Sequence, residues 1–545
     1  MTDIKTISGN IVDLIHHSIY PGTLTITGEK ISGITHDHAV YDTYLIPGLI
    51  DAHIHIESSM LAPTEFARLA APHGTVATVS DPHEIANVMG AAGIEFMLAN
   101  GDLTPFKFAF GIPSCVPATG FESAGATIDA ATVAQLAQTG RLRYLGELMN
   151  VPGVLNDDPE VMAKIRTVRQ HGYPIDGHAP ELSGTALARY IAAGITTDHE
   201  IASYAEAEAK INLGMKIQIR EGSAAQNFAA LHPLIDRYPE HCMFCSDDRH
   251  PHHLSAGHID QMVRQALGFG YDPFKVLQVA SLNPIRHYQL AVGLLQPGDP
   301  ADVVVINNFT EFQVLRTYIQ GRLVAANGRC LLPPAPILKI NNFHAQPKQA
   351  ADFTIAATGD PTLNVIGVIE GQLLTKWLRV PAQIVAGQAV SDPARDLLKL
   401  TVVNRYQNAP PVVGFIQNTG LQTGAIAASV AHDSHNIIAM GISDADIAAA
   451  VNLVIEHQGG LAVISDTERE ILPLPIAGLM SDQDGATVAR QYTKLLATVQ
   501  NLGCRLHDPF MTLSFMALPV IPDLKLTATG LFDARRFKPV GLFEQ

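Results

Sequence analysis

Between Leu45 and Leu290, short β-rich runs alternate with longer helical ones, and this order constrains the fold more than any other feature. The β-rich runs are LIPGLIDAHIH (45–55), TVATVSD (75–81), FKFAFGIP (106–113), LRYLGE (142–147), PIDGH (174–178), ITTDHE (195–200), MKIQIREGS (215–223) and CMFCSDD (242–248). Helical stretches such as PTEFARLAAPHG, PEVMAKIRTVRQHG, TALARYIAAG and IDQMVRQALGFG lie between them, most ending in a glycine suited to a helix C-terminus. A strand reached through a helical crossover pairs in parallel with its predecessor. Eight such units in about 245 residues match the size of a (β/α)₈ barrel. The competing arrangement is an open doubly wound sheet, but no GxGxxG follows the first strand to support its dinucleotide-binding form.

The flanks suggest further domains. Residues 1–44 contain TLTITGEKISGI, an alternating hairpin pattern around Gly28, and 291–345 contain GDPADVVVIN and VLRTYIQGRLVAANGR. Two β segments that bracket a barrel are expected to pair with each other, giving a discontinuous small β-sandwich domain (1–44 plus 291–345) beside the barrel (45–290). LPPAPILKINNFHAQPK reads as a linker, and 350–545 as a C-terminal α+β domain.

Composition narrows the function classes. The 545 residues are 47% apolar and 16% charged, as in a globular enzyme. A net charge of −16 repels a phosphate backbone, so nucleic acid is not an expected partner. MTDIKTISGN lacks the basic and apolar regions of a signal peptide, and no apolar run reaches the ~18–20 residues of a membrane span. A cytoplasmic protein without a membrane partner is expected, as a homodimer or higher homo-oligomer. Five cysteines imply no disulfide framework. Cys242 and Cys245 form a CxxC within a strand, where residues three apart point to opposite faces, so a thiol metal or redox site is not expected.

In a barrel all strand C-terminal ends lie on one rim, where catalytic groups gather. Here those ends carry His53 and His55; Asp81, His83 and Glu84; Glu147; His178; His199; and Asp247. His53 and His55 point the same way, about 6.6 Å apart along the backbone, so both rings can converge on one cation. Standing alone, an HxH is more often a surface pair; the apolar lead-in and the other strand ends favour ligands. Glu147 closes a buried run, a costly place for a carboxylate unless a cation or donors neutralise it. It either bridges a pair of ions or forms a rim salt bridge. His178 and His199 offer neutral imidazoles for a second ion. Asp247 suits the first ion and can take a proton, whereas Asp248 points elsewhere. A set of imidazoles and carboxylates without thiolate fits zinc, manganese or iron. Two cations sharing a hydroxide lower the pKa of water towards neutrality, which supplies a nucleophile.

PGLIDAHIH, the later single histidines and the terminal aspartate resemble the amidohydrolase superfamily. HIHIESSM, SDPHEIANV, GELMNVPGVLN, DGHAPELSG, TTDHE, REGSAAQN, CSDDRHP, VAHDSHNI and LPVIPDLKLT narrow the resemblance to its metal-dependent adenine deaminase family, over residues 47 to about 527. The resemblance implies His53 and His55 on one divalent ion, Glu147 bridging, His178 and His199 on the other, and Asp247 as ligand and proton shuttle. It implies two ions, Mn²⁺ first, with Fe²⁺ or Zn²⁺ as alternatives. It also implies hydrolytic deamination of adenine to hypoxanthine and ammonia, in purine salvage or catabolism. Protonating the leaving nitrogen falls to Asp247, because amide anion is too basic to depart. A second group must donate to a ring nitrogen; His83, Glu84 and Glu200 are candidates, although Glu200 also suits the role of orienting His199. Purine contacts are expected from Glu221 and Ser223 of REGSAA and Arg249 of RHPHHL. His432 and His435 of HDSHN either help enclose the purine, form a local turn network, or hold a separate metal. The alternatives are a barrel hydrolase acting on N6-substituted adenine or a cyclic amide, and a non-catalytic scaffold, which would tend to lose ligands. A cytidine-type zinc deaminase lacks support because HxE…PCxxC is missing.

Overall fold

A computed structural model of the chain describes residues 4–359 and 361–544, which divide into two compact units. The first comprises Met1–Pro82, Glu95–Ser114 and Asp129–Pro336; the second comprises His83–Ile94, Cys115–Ile128 and Ile337–Gln545.

The first unit is built on eight short strands: β1 (Leu49–Ile54), β2 (Thr75–Ser80), β3 (Lys107–Phe110), β4 (Leu145–Leu148), β5 (Ile175–Gly177), β6 (Thr197–Asp198), β7 (Lys216–Arg220) and β8 (Cys242–Cys245). β1, β2 and β3 pair in parallel, as do β4 with β5 and β6 with β7 and β8. A parallel bridge between Ile112 and Leu145 joins the third strand to the fourth, and Thr196 N donates to Ile175 O (2.8 Å) between the fifth and sixth. Asp247 N donates to His53 O (2.9 Å) and joins the last strand back to the first. Hydrogen bonds therefore close the eight strands into a ring, with every C-terminal end on one side. Both faces of these strands are covered, which is why β1, β2 and β8 are buried throughout and read as near-continuous apolar runs. Burial pushes the Cys242 and Cys245 thiols of β8 up, away from reactive thiolate.

The run 45–55, expected as one strand, is two. Tyr44–Pro47 pairs antiparallel with Val303–Ile306 in a different sheet, and β1 starts at Leu49. The change of sheet falls at Gly48, where a Cβ would lie 2.2 Å from Val76 Cγ2 of β2. Only glycine lets the chain cross there. Tyr44–Pro47 sits in the middle of an eight-stranded sheet made from the two flanks of the ring: Ile4–Asp13, Ser18–Thr27 and Lys30–His36 on one side, Val303–Ile306, Val314–Ile319, Arg322–Ala326 and Arg329–Cys330 on the other. Residues from both flanks, among them Ile11, Leu24, Ile26, Leu45, Val303 and Val305, share one core. A bridge from Lys30 to Pro300 curls the sheet over this core. The fold is thus one curled sheet in place of the two stacked sheets of a sandwich.

In the second unit, an eight-stranded sheet (including Leu397–Val403, Ile437–Gly441 and Ala425–Ala428) carries the helix Asp444–Glu456 on one face. That helix is started by Ser443, whose side chain accepts from Asp446 N. Residues 83–94 and 115–128 fold into this unit, although their sequence position falls within the barrel segment. Asn342 Nδ2 donates to Val88 O (3.0 Å), and Asn436 Nδ2 donates to Ser123 O (2.8 Å). The segment expected as a linker is also tied down: Ala477 N donates to Ile340 O (2.7 Å) and His344 N to Arg405 O (2.6 Å). Among the described residues, no helix is long and apolar enough to cross a membrane.

Candidate metal centre

The end of β1 places two imidazoles inside the ring mouth. His55 Nδ1 lies 3.1 Å from the Asp81 carbonyl oxygen. A carbonyl only accepts, so Nδ1 carries a proton and Nε2 is the nitrogen turned inward. That Nε2 is 3.2 Å from both Glu147 Oε1 and Asp247 Oδ1. His53 is 0% exposed, and neither of its ring nitrogens has a hydrogen-bond partner among the described residues. Burial, with His199 and His55 beside it, keeps this ring neutral. It stacks on His199 with 4.1 Å between centroids.

Glu147 is delivered by β4 and fixed at its backbone: its N–H donates to Asp81 Oδ2 (2.9 Å) and its carbonyl accepts from Ser114 Oγ (2.5 Å). Its two oxygens face different imidazoles. Oε1 meets His55, whereas Oε2 is 2.7 Å from His178 Nδ1 and 3.2 Å from His199 Nε2. Burial alone would raise this carboxyl, but His178, His199 and His55 outweigh it and hold the pKa well below the carboxylate range. The same pairing pushes His178 up to about 9 against the opposing effect of burial. The site is built to stabilise positive charge.

Asp247 adopts φ 52°, a left-handed turn just past β8 that aims its carboxylate into the ring. Its neighbour Asp248 turns away and accepts from Ser58 Oγ (2.5 Å). Arg220, at the end of β7, donates to Asp247 Oδ2 (2.5 Å) through Nη1 and holds Glu200 with both Nη1 and Nη2. Burial works to raise Asp247 and Glu200, but Arg220 prevails and keeps both ionised. Arg220 had not been singled out in the sequence. The signal was present: in KIQIR, Ile217 and Ile219 alternate with Gln218 and Arg220, which places the charged end on the face opposite the isoleucines.

Ligand atoms of His53, His55 and Asp247, of His53, Glu147 and His199, and of His178, His199 and Glu200 all lie within 4.8 Å of one another. A neutral buried imidazole without a hydrogen-bond partner, set among carboxylates, fits divalent cations of borderline or hard character. The other residues expected to contact the purine have protein partners of their own. Arg249 directs its guanidinium to the carbonyls of Glu221, His253 and Gly257 and to Gln261, and Ser223 Oγ accepts from His250 N (2.8 Å); both hold the loop after β8. Glu221 accepts from Phe228 N (3.2 Å), and burial raises its carboxyl. Glu84, His432 and His435 come together in the second unit, with His83 Nε2 3.6 Å from Glu84 Oε1.

A parallel strand ring bearing this donor set defines the amidohydrolase class, and the Amidohydrolase family model matches residues 44–324. The model of the adenine deaminase C-terminal domain matches 372–538. An adenine deaminase from Sulfurovum sp. (strain NBC37-1) is 50% identical over 97% of this chain and 98% of its own. Those from Salinibacter ruber and Methanosarcina mazei are 49% and 48% identical, each over 99% of this chain, covering 99% and 100% of their own lengths. The chain belongs to the adenine deaminase family.

Proposed function

We propose that this protein hydrolyses adenine to hypoxanthine and ammonia at the mouth of its strand ring, read as a (β/α)₈ barrel with a discontinuous β domain (1–44, 291–345) and a C-terminal α+β domain (350–545). The observation that carries the reading is the convergence of His53, His55, Glu147, His178, His199 and Asp247 in one buried cluster, in a chain 50% identical to an adenine deaminase over nearly its full length. His53, His55 and Asp247 would hold one divalent ion and His178 and His199 a second, with the two oxygens of Glu147 shared between them. Mn²⁺ is the first choice, Fe²⁺ or Zn²⁺ the alternatives. Such ions, when bound, make a shared water acidic enough to supply a nucleophile near neutral pH.

The chain's own groups handle the protons. Asp247, held ionised by Arg220, takes a proton at Oδ from the attacking water and passes it to the exocyclic nitrogen, so that ammonia leaves as a neutral molecule. Glu200, also held ionised, accepts N–H from the purine and does not donate. Glu221 has its carboxyl raised by burial and suits donation to a ring nitrogen as negative charge develops there. The enzyme would act in the cytoplasm, in purine salvage or catabolism. The test is to incubate Mn²⁺-reconstituted protein with adenine, adenosine and N6-methyladenine, following ammonia release and the purine spectrum. Adenine is expected to turn over fastest. Turnover of adenosine without adenine would overturn the reading.

A further inference from the structure

The second unit buries a group of ionisable side chains that the proposed barrel chemistry does not use. Glu84 lies between two imidazoles: Oε1 is 2.5 Å from His432 Nδ1, and Oε2 hydrogen-bonds His435 Nε2. His83 Nε2 is 3.6 Å from Glu84 Oε1 and 3.9 Å from Asp433 Oδ2. None of these five side chains is more than 3% exposed. Ligand atoms of Glu84, His432 and His435 all lie within 4.8 Å of one another. The rings are held in place. His432 stacks on Phe515, with centroids 4.4 Å apart and planes at 13°.

Charge decides what the group can hold. Glu84 and Asp433 are both acidic side chains out of water. The nearby cation is Arg405, fully buried, packed against the rings of Phe343 and Tyr406 and donating to Ala477 O (2.9 Å). Among the described residues no carboxylate pairs with its guanidinium. Two imidazoles and a carboxylate whose ligand atoms lie this close together are the donors that borderline divalent ions prefer.

We propose that Glu84, His432 and His435, with Asp433 beside them, form a further divalent-cation site whose three ligands are none of those proposed at the strand ring. The ion is of the zinc or manganese type, taken by two imidazole nitrogens and the Glu84 carboxylate. Ala431 N–H approaches His435 Nδ1 at 3.2 Å. That long contact loosens when the ring proton moves to Nδ1 and frees Nε2 for the cation. The site ties the short helix His83–Met89 to the turn 431–435, two segments some 350 positions apart in the chain.

The test is metal stoichiometry. Full-length protein is stripped with a chelator, dialysed against Zn²⁺, and its zinc content is measured by mass spectrometry. The wild type is expected to take up three equivalents per chain and the Glu84→Gln variant two. A His53→Ala/His55→Ala chain probes the ring independently: it loses ring metal, yet adding Glu84→Gln to it still removes one further equivalent. Glu84→Gln keeps the side chain's volume, so it serves where His435→Ala fails to fold. Equal zinc content with and without Glu84→Gln in both backgrounds would overturn the site and leave the ring assignment standing. A wild type holding no more than two equivalents would overturn it also.

Discussion

At the residue scale, Arg220 decides the protonation state of the centre. Its guanidinium is shared between Asp247 and Glu200 in a buried setting. Breaking such a pair from one side costs about 3–5 kcal/mol, because the partner charges stay behind. Arg220→Met is therefore expected to destabilise the metal-free protein by that order in urea unfolding, and Arg220→Lys by less. Asp247→Asn keeps the shape of the side chain but removes the proton acceptor. Its kcat for adenine should fall by about 10²–10⁴ while KM moves only a few-fold. A third residue reports through pH. Burial lowers the Lys525 ammonium to about 7, while its Nζ donates to Leu373 O and Phe515 O. Between about pH 7 and 10 the unfolded chain holds more protons at this residue than the folded one, so folding stability should rise with pH across that window. The slope approaches ~1.4 kcal/mol per pH unit. Denaturant titrations of wild type against Lys525→Met should show the slope only in the wild type. His53 and His55 were legible because strand alternation fixes their common face. Arg220 was legible only as a charge on the face opposite Ile217 and Ile219, because nothing local says that it meets two carboxylates from other strands.

At the scale of elements, the strand ends depend on glycines that leave room for them. Gly146 precedes Glu147 on β4, and a Cβ there would lie 2.2 Å from Asp81 Oδ2. That oxygen accepts the Glu147 N–H, while the Asp81 carbonyl faces His55 Nδ1. Gly146→Ala must push the carboxylate away, with an overpacking cost of about 1–3 kcal/mol. The displacement disturbs the supports of two proposed ligands together. Weaker retention of Mn²⁺ on dialysis and a lower unfolding temperature are expected, and unchanged metal retention would refute the link. The order of the eight strands was readable from strand–helix alternation alone, since it needs only local patterns. The break at Gly48 was not. Leu45–Ile50 is one apolar stretch, and its change of sheet depends on Val76 and Val303–Ile306, which local periodicity does not reveal.

At the scale of the whole molecule, partners distant in sequence were the hardest to read. Residues 83–94 and 115–128 interrupt the ring segment in sequence and fold with 337–545 instead, through contacts such as Asn342 to Val88 and Asn436 to Ser123. No spacing rule links Glu84 to His432 and His435, so the sequence reading left the latter pair open among enclosure, turn network and metal. Metal removal probes the molecule as a whole. An ion that binds only the folded chain stabilises it by about 2.7 kcal/mol at a hundredfold excess over its Kd. Stripping with a chelator should therefore abolish adenine turnover and lower the unfolding temperature by a few degrees, and Mn²⁺ should restore both. In His53→Ala/His55→Ala, Mn²⁺ should restore no activity and only part of the thermal shift, because the ring has lost two donors and the Glu84 cluster keeps its own. A stripped wild type that melts and turns over adenine like the reconstituted one would mean that the buried imidazoles and carboxylates are compensated by protons and not by metal.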